Sequence, residues 1–447
     1  MLSREDNERL VRVGPGTPMG TLMRLFWTPF LLSRDLVADG QPHRVRLLGE
    51  DLVAFRDTSG RVGLVDHACP HRGAPMVFAR NEHDGLRCMY HGWKFGVDGT
   101  CLDTPAEPPN SPLCRHVRLP AYPVRERGGV LWAYLGPDKE PPPLPELEWN
   151  LVPESHVALS ARIQECNWLQ ALEGEIDSAH AAILHGRVDE AGTINQWRQA
   201  ADLAPKFEVQ AHEAGLHIAS RRKVPGSGDG SGSAAREYVR VNQYLLPFYT
   251  LVPPQTQYPE LSGHAWVPVD DEHTLCLMFS YTPAHPLYER TRQVFRTGGK
   301  GGRETGHPSD QAFEERPVTT PYPRYWSKYN RANAYHFSYE MQVKQFNSGM
   351  PGLWIQDAAC QSGVMPVYDR TKEHLGSTDL GIARTRRFLL EALRRLEADG
   401  QRPAPAAAPA SFMWRAISIT VDEGADWKQA GAGFMRARLG ADFGYTP

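Results

Sequence analysis

The feature that most narrows what this chain can fold into is a pair of short motifs, Cys69-Pro70-His71 and Cys88-Met89-Tyr90-His91, separated by residues Arg72 to Arg87. Two thiolates and two imidazoles at such spacings can converge on one metal centre if they stand on two facing loops. Structural zinc sites commonly bring a Cys-Cys pair and a His-His pair, whereas here each loop supplies one residue of each kind. Gly73, Gly92, Trp93 and Phe95 flank the motifs. A zinc staple is the bland alternative to a redox centre at this point.

The residues around the motifs read as β-structure. From His43 to Asp66 short apolar and polar runs alternate (Val45, Leu47; Leu52, Val53, Phe55; Val62, Leu64), with Asp57-Thr58-Ser59-Gly60 between them, the pattern of a hairpin. Val130 to Leu135 predicts a buried strand. The proline-rich run Pro137 to Pro145 removes backbone donors and favours an extended connector, so a boundary is expected near 140 to 155, giving units 1–150 and 151–447.

Composition excludes several classes. The 447 residues correspond to about three domain-sized units, or two if merged, at roughly 150 residues each. Hydrophobic residues at 41% and charged residues at 23% are ordinary globular usage, which rules against disorder, collagen or coiled coil. Lys plus Arg (49) nearly balance Asp plus Glu (52), so no chain-wide basic field attracts nucleic acid. Seven cysteines fit a reducing compartment better than a disulfide framework. The first residues mix acids and arginines without an apolar core, and Leu22 to Leu32 is interrupted by Arg24 and Pro29, so neither a secretory signal nor a membrane span is expected. The expected location is cytoplasmic.

In the second unit, Glu165 to His185 reads as helix, and Tyr238 to Tyr249 and Gly263 to Tyr281 as strands. Val224 to Ala235 and Arg296 to Pro317 read as mobile loops, Arg384 to Leu396 as an amphipathic helix and Gln401 to Ser411 as a linker. No internal repeat is visible. Asp177, His180 and His185 form Asp-x2-His-x4-His. On a helix Asp177 and His180 share a face, whereas residues five apart differ by roughly 140°. The helix is therefore expected to end or bend near Leu184 to Gly186, turning His185 back toward His180.

A centre in which two cysteines hold one iron and two histidines the other is the Rieske pattern. With Cys69, His71, Cys88 and His91 in that pattern and the His180/His185 pair downstream, the chain resembles the Rieske non-haem iron oxygenases, in particular the terminal oxygenase of the phthalate dioxygenase and aryl O-demethylase type. The loop Cys69 to Pro75 lacks the extra cysteine of respiratory Rieske proteins, which favours the oxygenase branch. The resemblance implies an α+β fold: an N-terminal all-β Rieske domain, then a catalytic domain of antiparallel sheet and helices holding mononuclear iron. It implies a [2Fe-2S] cluster on Cys69, His71, Cys88 and His91, and Fe(II) on His180, His185 and a carboxylate. The region Gly352-Leu353-Trp354-Ile355-Gln356-Asp357 resembles that of the phthalate group, so Asp357 is the expected third ligand, with Asp369 and Asp379 as competitors. By the same resemblance Asp177 links His180 to His91 of the partner subunit, which implies a homotrimer or a multiple of it.

The implied activity takes O2 and electrons from a separate NADH-dependent reductase to oxidise an aromatic acid; no dinucleotide fingerprint appears in this chain. Monooxygenation, including O-demethylation, is favoured over cis-dihydroxylation. An electron-transfer protein using only the cluster is the alternative from another class. Ala181, Ile183, Leu184, Leu246, Phe248 and Tyr249 are candidate pocket residues. Arg221, Arg222 and Arg240 could pair with a substrate carboxylate, at least two of them being expected on the solvated surface. Cys101, Cys114, Cys166, Cys276 and Cys360 are left as reduced thiols, with Cys360 close in sequence to Asp357.

Overall fold

The computed structural model describes residues 2–188, 194–195, 202–228, 234–254, 260–296 and 313–438. The first part of the chain is built from three small antiparallel sheets. Strands His43–Leu47, Glu50–Arg56 and Val62–Asp66 form a meander closed by Ala121–Tyr122, and the expected turn at Asp57 to Gly60 joins the second and third. Strands Arg80–Glu82, Gly85–Arg87, Lys94–Phe95 and Cys101–Asp103 form the sheet that presents the second Cys/His motif. Val53, Phe55, Val65, Leu86 and Phe95 fill the core between these two sheets. Trp27–Leu32 and Val130–Tyr134 pair in the third and are buried along their whole length, as the apolar run predicts.

The second part is dominated by an antiparallel sheet of ten strands among the described residues. Its spatial order runs Lys206–His212, Gly215–Lys223, Arg236–Leu245, Tyr249–Val252, Leu261–Pro268, Thr274–Tyr281 and Val157–Gln164. Trp326–Ser327 adds in parallel at Ile163, Phe313–Glu314 follows it, and Ile417–Asp422 pairs on Arg236–Leu245. The helices Trp168–Ile176 and Leu380–Asp399 pack on this sheet, and Leu353–Ser362 packs against the first of them. Arg384 to Leu396 lies within the 20-residue helix, with Leu389, Leu390 and Leu393 buried.

Three expectations need correction. Glu165 to His185 is not one helix: it breaks at Asp177, whose backbone is extended (φ −83, ψ 103). The Asp177 carboxylate accepts from the Ala179 N–H at 2.7 Å, an alternative local bond that competes with the helical one. A single turn, Ala181–Leu184, follows, and it does end where expected, with His185 as its last cap. Tyr238 to Tyr249 is two strands, because Leu246-Pro247-Phe248 forms the turn between Arg236–Leu245 and Tyr249–Val252 and Pro247 has no donor for a ladder. Gln401 to Ser411 is no loose linker: two short 3-10 turns bury Pro405 and Phe412 beside Phe26, Trp27 and Tyr249. Residues 229–233 and 297–312 of the two expected loops lie outside the described residues, and the second loop ends in the strand Phe313–Glu314.

Candidate metal centres and active site

The two Cys/His loops close in the same way. The Cys69 N–H bonds to the Ala74 carbonyl at 2.9 Å and the Gly73 N–H returns to the Cys69 carbonyl at 2.8 Å. In the second loop the Cys88 N–H bonds to the Trp93 carbonyl at 2.8 Å and the Gly92 N–H to the Cys88 carbonyl at 3.1 Å. Gly73 and Gly92 occupy equivalent positions at φ 71° and 76°, where a side chain would be strained, which explains the glycine in each motif. Each loop is thus a rigid tongue carrying one cysteine and one histidine.

The tongues face each other. The Cys69 and Cys88 thiols are in contact, the His71 and His91 rings are 4.4 Å apart edge to face, and Trp93 stacks on His71 at 4.4 Å. The donor set fits a metal cluster. His91 Nδ1 is buried without a hydrogen-bond partner, a costly state for a polar atom unless a ligand takes it. Burial lowers the His91 imidazole, as do His71 and Arg72, keeping it in the neutral form that binds metal. Burial first, and then Cys88 beside it, pushes the Cys69 thiol up to about 11, so a cation is needed to hold it as a thiolate. Met89 and Tyr90 at the tip are exposed.

The second cluster of ligand atoms is assembled from two segments. His180 precedes the short helical turn Ala181–Leu184 and His185 caps it; Asp357 lies on Leu353–Ser362. One Asp357 oxygen is 3.5 Å from His180 Nε2 and 3.5 Å from His185 Nε2, and all three ligand atoms lie within 4.8 Å of one another. Adjacent ligands each about 2.1 Å from a first-row metal stand roughly 3 Å apart, so a small contraction completes the set. Burial alone would lower His180, but Asp177 and Asp357 outweigh it and push it up to about 10. The site therefore already favours a positive charge, which a metal ion can supply in place of the proton.

Two further groups orient the histidines. Asp177 Oδ2 is 3.4 Å from His180 Nδ1. Gln356 Oε1 is 2.7 Å from His185 Nδ1, and the Gln356 amide donates in turn to the Met350 carbonyl at 2.8 Å, which fixes its flip and leaves His185 Nε2 facing Asp357. Gln356 had no assigned role in the sequence; its position next to Asp357 was the available signal. Burial raises the Asp357 carboxyl, but His185 and His180 outweigh it and hold it below its ordinary range. Asp369 and Asp379 are helix caps, bonded to Thr371 and to the Gly376 N–H.

The arginines overturn the expectation of a solvated surface. Arg221 pairs with Glu208 and Glu237. Arg222 is buried, donating to the Ser178 carbonyl at 2.7 Å, to the Ser178 and Ser220 hydroxyls and to the Asp202 carbonyl. Arg240 is buried too, bonded to the Pro253 carbonyl and the Tyr238 hydroxyl, and its Nε has no partner. Burial, then the charge of Arg240, pushes Arg222 down to about 10. Among the described residues no carboxylate hydrogen-bonds to either guanidinium. Of the candidate pocket residues, Ala181, Ile183 and Leu184 flank the histidines, whereas Leu246, Phe248 and Tyr249 belong to the main core. Cys360 is exposed, one turn beyond Asp357. Among the described residues no helix is long and apolar enough to cross a membrane.

A family model described as Rieske [2Fe-2S] domain matches residues 26–123, and one described as LigXa C-terminal domain like matches residues 133–442. The chain is 38% identical to the 3-chlorobenzoate-3,4-dioxygenase oxygenase subunit of Comamonas testosteroni, over 96% of this chain and 98% of that one. It is 45% identical to the 5,5'-dehydrodivanillate O-demethylase oxygenase subunit of a Sphingobium species, over 41% of this chain and 44% of that one. Its fold is similar to that of dicamba monooxygenase solved with 3,6-dichlorosalicylic acid, with a TM-score of 0.57 and 16% identity over 85% of this chain and 99% of that one.

Proposed function

The chain belongs to the Rieske non-haem iron oxygenases, as a terminal oxygenase subunit, and from that premise we propose that it oxidises an aromatic carboxylic acid by monooxygenation, including O-demethylation. In this reading Cys69, His71, Cys88 and His91 hold the [2Fe-2S] cluster, and His180, His185 and Asp357 hold iron, leaving coordination positions open for oxygen. When bound, these groups supply electron storage and oxygen activation. The chain's own residues hold the ligands in register: Gln356 orients His185, and Asp177 orients His180.

The observation that carries the acid reading is the buried Arg222/Arg240 pair. Two guanidinia close enough to repel, both buried and, among the described residues, with no carboxylate bonded to either, are stabilised by an incoming anion that accepts bidentate bonds. Arg222 also donates to Ser178, the residue after Asp177, which puts that anion site against the iron-binding turn. The 45% stretch shared with an O-demethylase subunit supports demethylation. The near full-length relative that is a dioxygenase supports the second reading, cis-dihydroxylation.

Electrons are proposed to come from a separate NADH-dependent reductase, and Asp177 to bridge His180 and His91 of the partner subunit in a homotrimer, in the cytoplasm. Demethylation balances as a methoxyarene, O2, NADH and a proton giving the phenol, formaldehyde, NAD+ and water. Turnover of methoxybenzoates, phthalates and biaryl acids with a compatible reductase tests the reading: equimolar formaldehyde and phenol are expected, and a cis-diol would establish the second reading instead. An Arg240→Met variant should raise KM for the acid but not for its amide. Equal loss for both would remove the carboxylate assignment.

A further inference from the structure

Two cysteines outside the proposed metal ligands stand against each other. Cys101 opens the strand Cys101–Asp103, and Cys114 lies in the one-turn helix Leu113–His116 that packs on that strand. Cys101 belongs to the apolar cluster containing Cys69, Cys88 and Trp93, and Cys114 packs against it. The Cys114 side chain stands close enough to act on the Cys101 thiol, as Cys88 acts on Cys69. Cys101 is buried and Cys114 half-buried, so a small oxidant reaches the second first. The segment between them carries Pro105, Pro108, Pro109 and Pro112 and has no other tie to the strand than its two ends and local turns.

We propose that Cys101 and Cys114 are a redox site that closes reversibly to a disulfide under hydrogen peroxide. Peroxide is the two-electron reduction product of O2, released when oxygen is reduced without transfer to a substrate. The Cys114 sulfur attacks one peroxide oxygen as the O–O bond breaks, giving a sulfenic acid and a hydroxide that takes the proton of the Cys114 thiol and leaves as one water; the Cys101 sulfur then attacks the sulfenic sulfur, and its thiol proton leaves with the displaced hydroxyl as the second water. Two thiols lose two electrons and two hydrogens, and one hydrogen peroxide becomes two waters. Burial pushes the Cys101 thiol up to about 12, which makes it a poorer first nucleophile than the more exposed Cys114; in the second step the adjacent sulfenic hydroxyl can accept its proton. The tie would lie near the cluster: Asp103, two residues on, accepts from Arg87 at 2.8 Å, and the same Arg87 nitrogen donates to the Gly92 carbonyl of the second tongue at 2.7 Å.

The inference is independent of substrate and is tested without turnover. The reduced holoprotein is treated with one equivalent of hydrogen peroxide, alkylated and mapped. Cleavage at Lys94 and Arg115 releases both cysteines in one peptide, which further cleavage before Asp103 divides. The expected result is a peptide lighter by two hydrogens whose fragments stay joined until dithiothreitol is added. Cys114→Ser should abolish the link, and so should Cys101→Ser, the first being the variant at the half-buried position and so the milder for folding. The proposal is overturned if the link persists in either variant, or if the wild-type peptide is unchanged or carries only added oxygen.

Discussion

Glu173 ties the helix that leads into the turn carrying His180 and His185 to the C-terminal part of the chain. Its carboxylate accepts from Arg370 Nη2 at 3.1 Å and from Arg386 Nε at 2.6 Å and Nη2 at 2.9 Å. Side-chain exposure is 10% for Glu173, 0% for Arg370 and 4% for Arg386, so the triad is screened little by solvent. Glu173→Gln keeps the shape and one acceptor oxygen but removes the charge. Arg386 retains Glu373, whereas Arg370 retains no charged partner among the described residues, its other acceptors being the Asn7 and Tyr368 oxygens at 3.4 and 3.5 Å. Removing one partner of a buried pair costs about 3–5 kcal/mol, and with one guanidinium still paired the lower end applies, about 3 kcal/mol. That is on the order of 100-fold in the folded-to-unfolded ratio. Urea unfolding followed by tryptophan fluorescence should show a lower midpoint at unchanged slope. Burial raises the Glu173 carboxyl, but Arg370 and Arg386 outweigh this and hold it below its ordinary range. Its contribution is then fully present above the usual carboxylate range and is lost as pH falls through the depressed folded value. The gap between wild type and variant should persist from pH 7 to about pH 5 and close only in stronger acid. An unchanged midpoint at pH 7, or a gap that widens on acidification, would refute the reasoning.

Other substitutions probe the site more directly. In Asp357→Ala the iron content should fall by about one atom per chain while acid-labile sulfide and the visible spectrum of the cluster are retained; loss of both together would contradict separate centres. A Cβ at Gly174 would meet Gln361 Nε2 at 2.0 Å, so Gly174→Ala must displace the Gln361 side chain and its bond from Gln164, between the helices Trp168–Ile176 and Leu353–Ser362. Weaker retention of the mononuclear iron under chelator, with the cluster unaffected, is the expected readout. Asn167 caps the first of those helices and donates to the Val11 and Asp271 carbonyls from a fully buried position. Asn167→Ala should cost about 2 kcal/mol or more in thermal unfolding, combining a lost cap with two unsatisfied acceptors.

Local patterns were legible in the sequence wherever the bonds that make them are local. The turn at Asp57 to Gly60, the buried run Val130 to Tyr134 and the amphipathic face of Leu380–Asp399 follow from spacing alone. The helical end at Leu184 follows from the sequence, but the break at Asp177 does not. That break depends on a side-chain bond to Ala179 winning over helix propensity, which periodicity does not report. Gln401 to Ser411 reads as a linker by composition, yet packs because Pro405 and Phe412 find apolar partners distant in sequence.

What the sequence determined by itself was the pair of Cys/His tongues, since each closes through its own backbone within a few residues and needs only its glycine. It also named His180 and His185, one turn apart, and by family resemblance Asp357. What only the tertiary structure decided was the company these residues keep. Asp357 reaches the histidines because Leu353–Ser362 packs on Trp168–Ile176, Gln356 lies against His185 Nδ1, and Arg222 and Arg240 are buried on neighbouring strands. An arginine's charge is visible in a sequence, but whether water or a low-dielectric wall surrounds it is set by contacts between segments far apart along the chain.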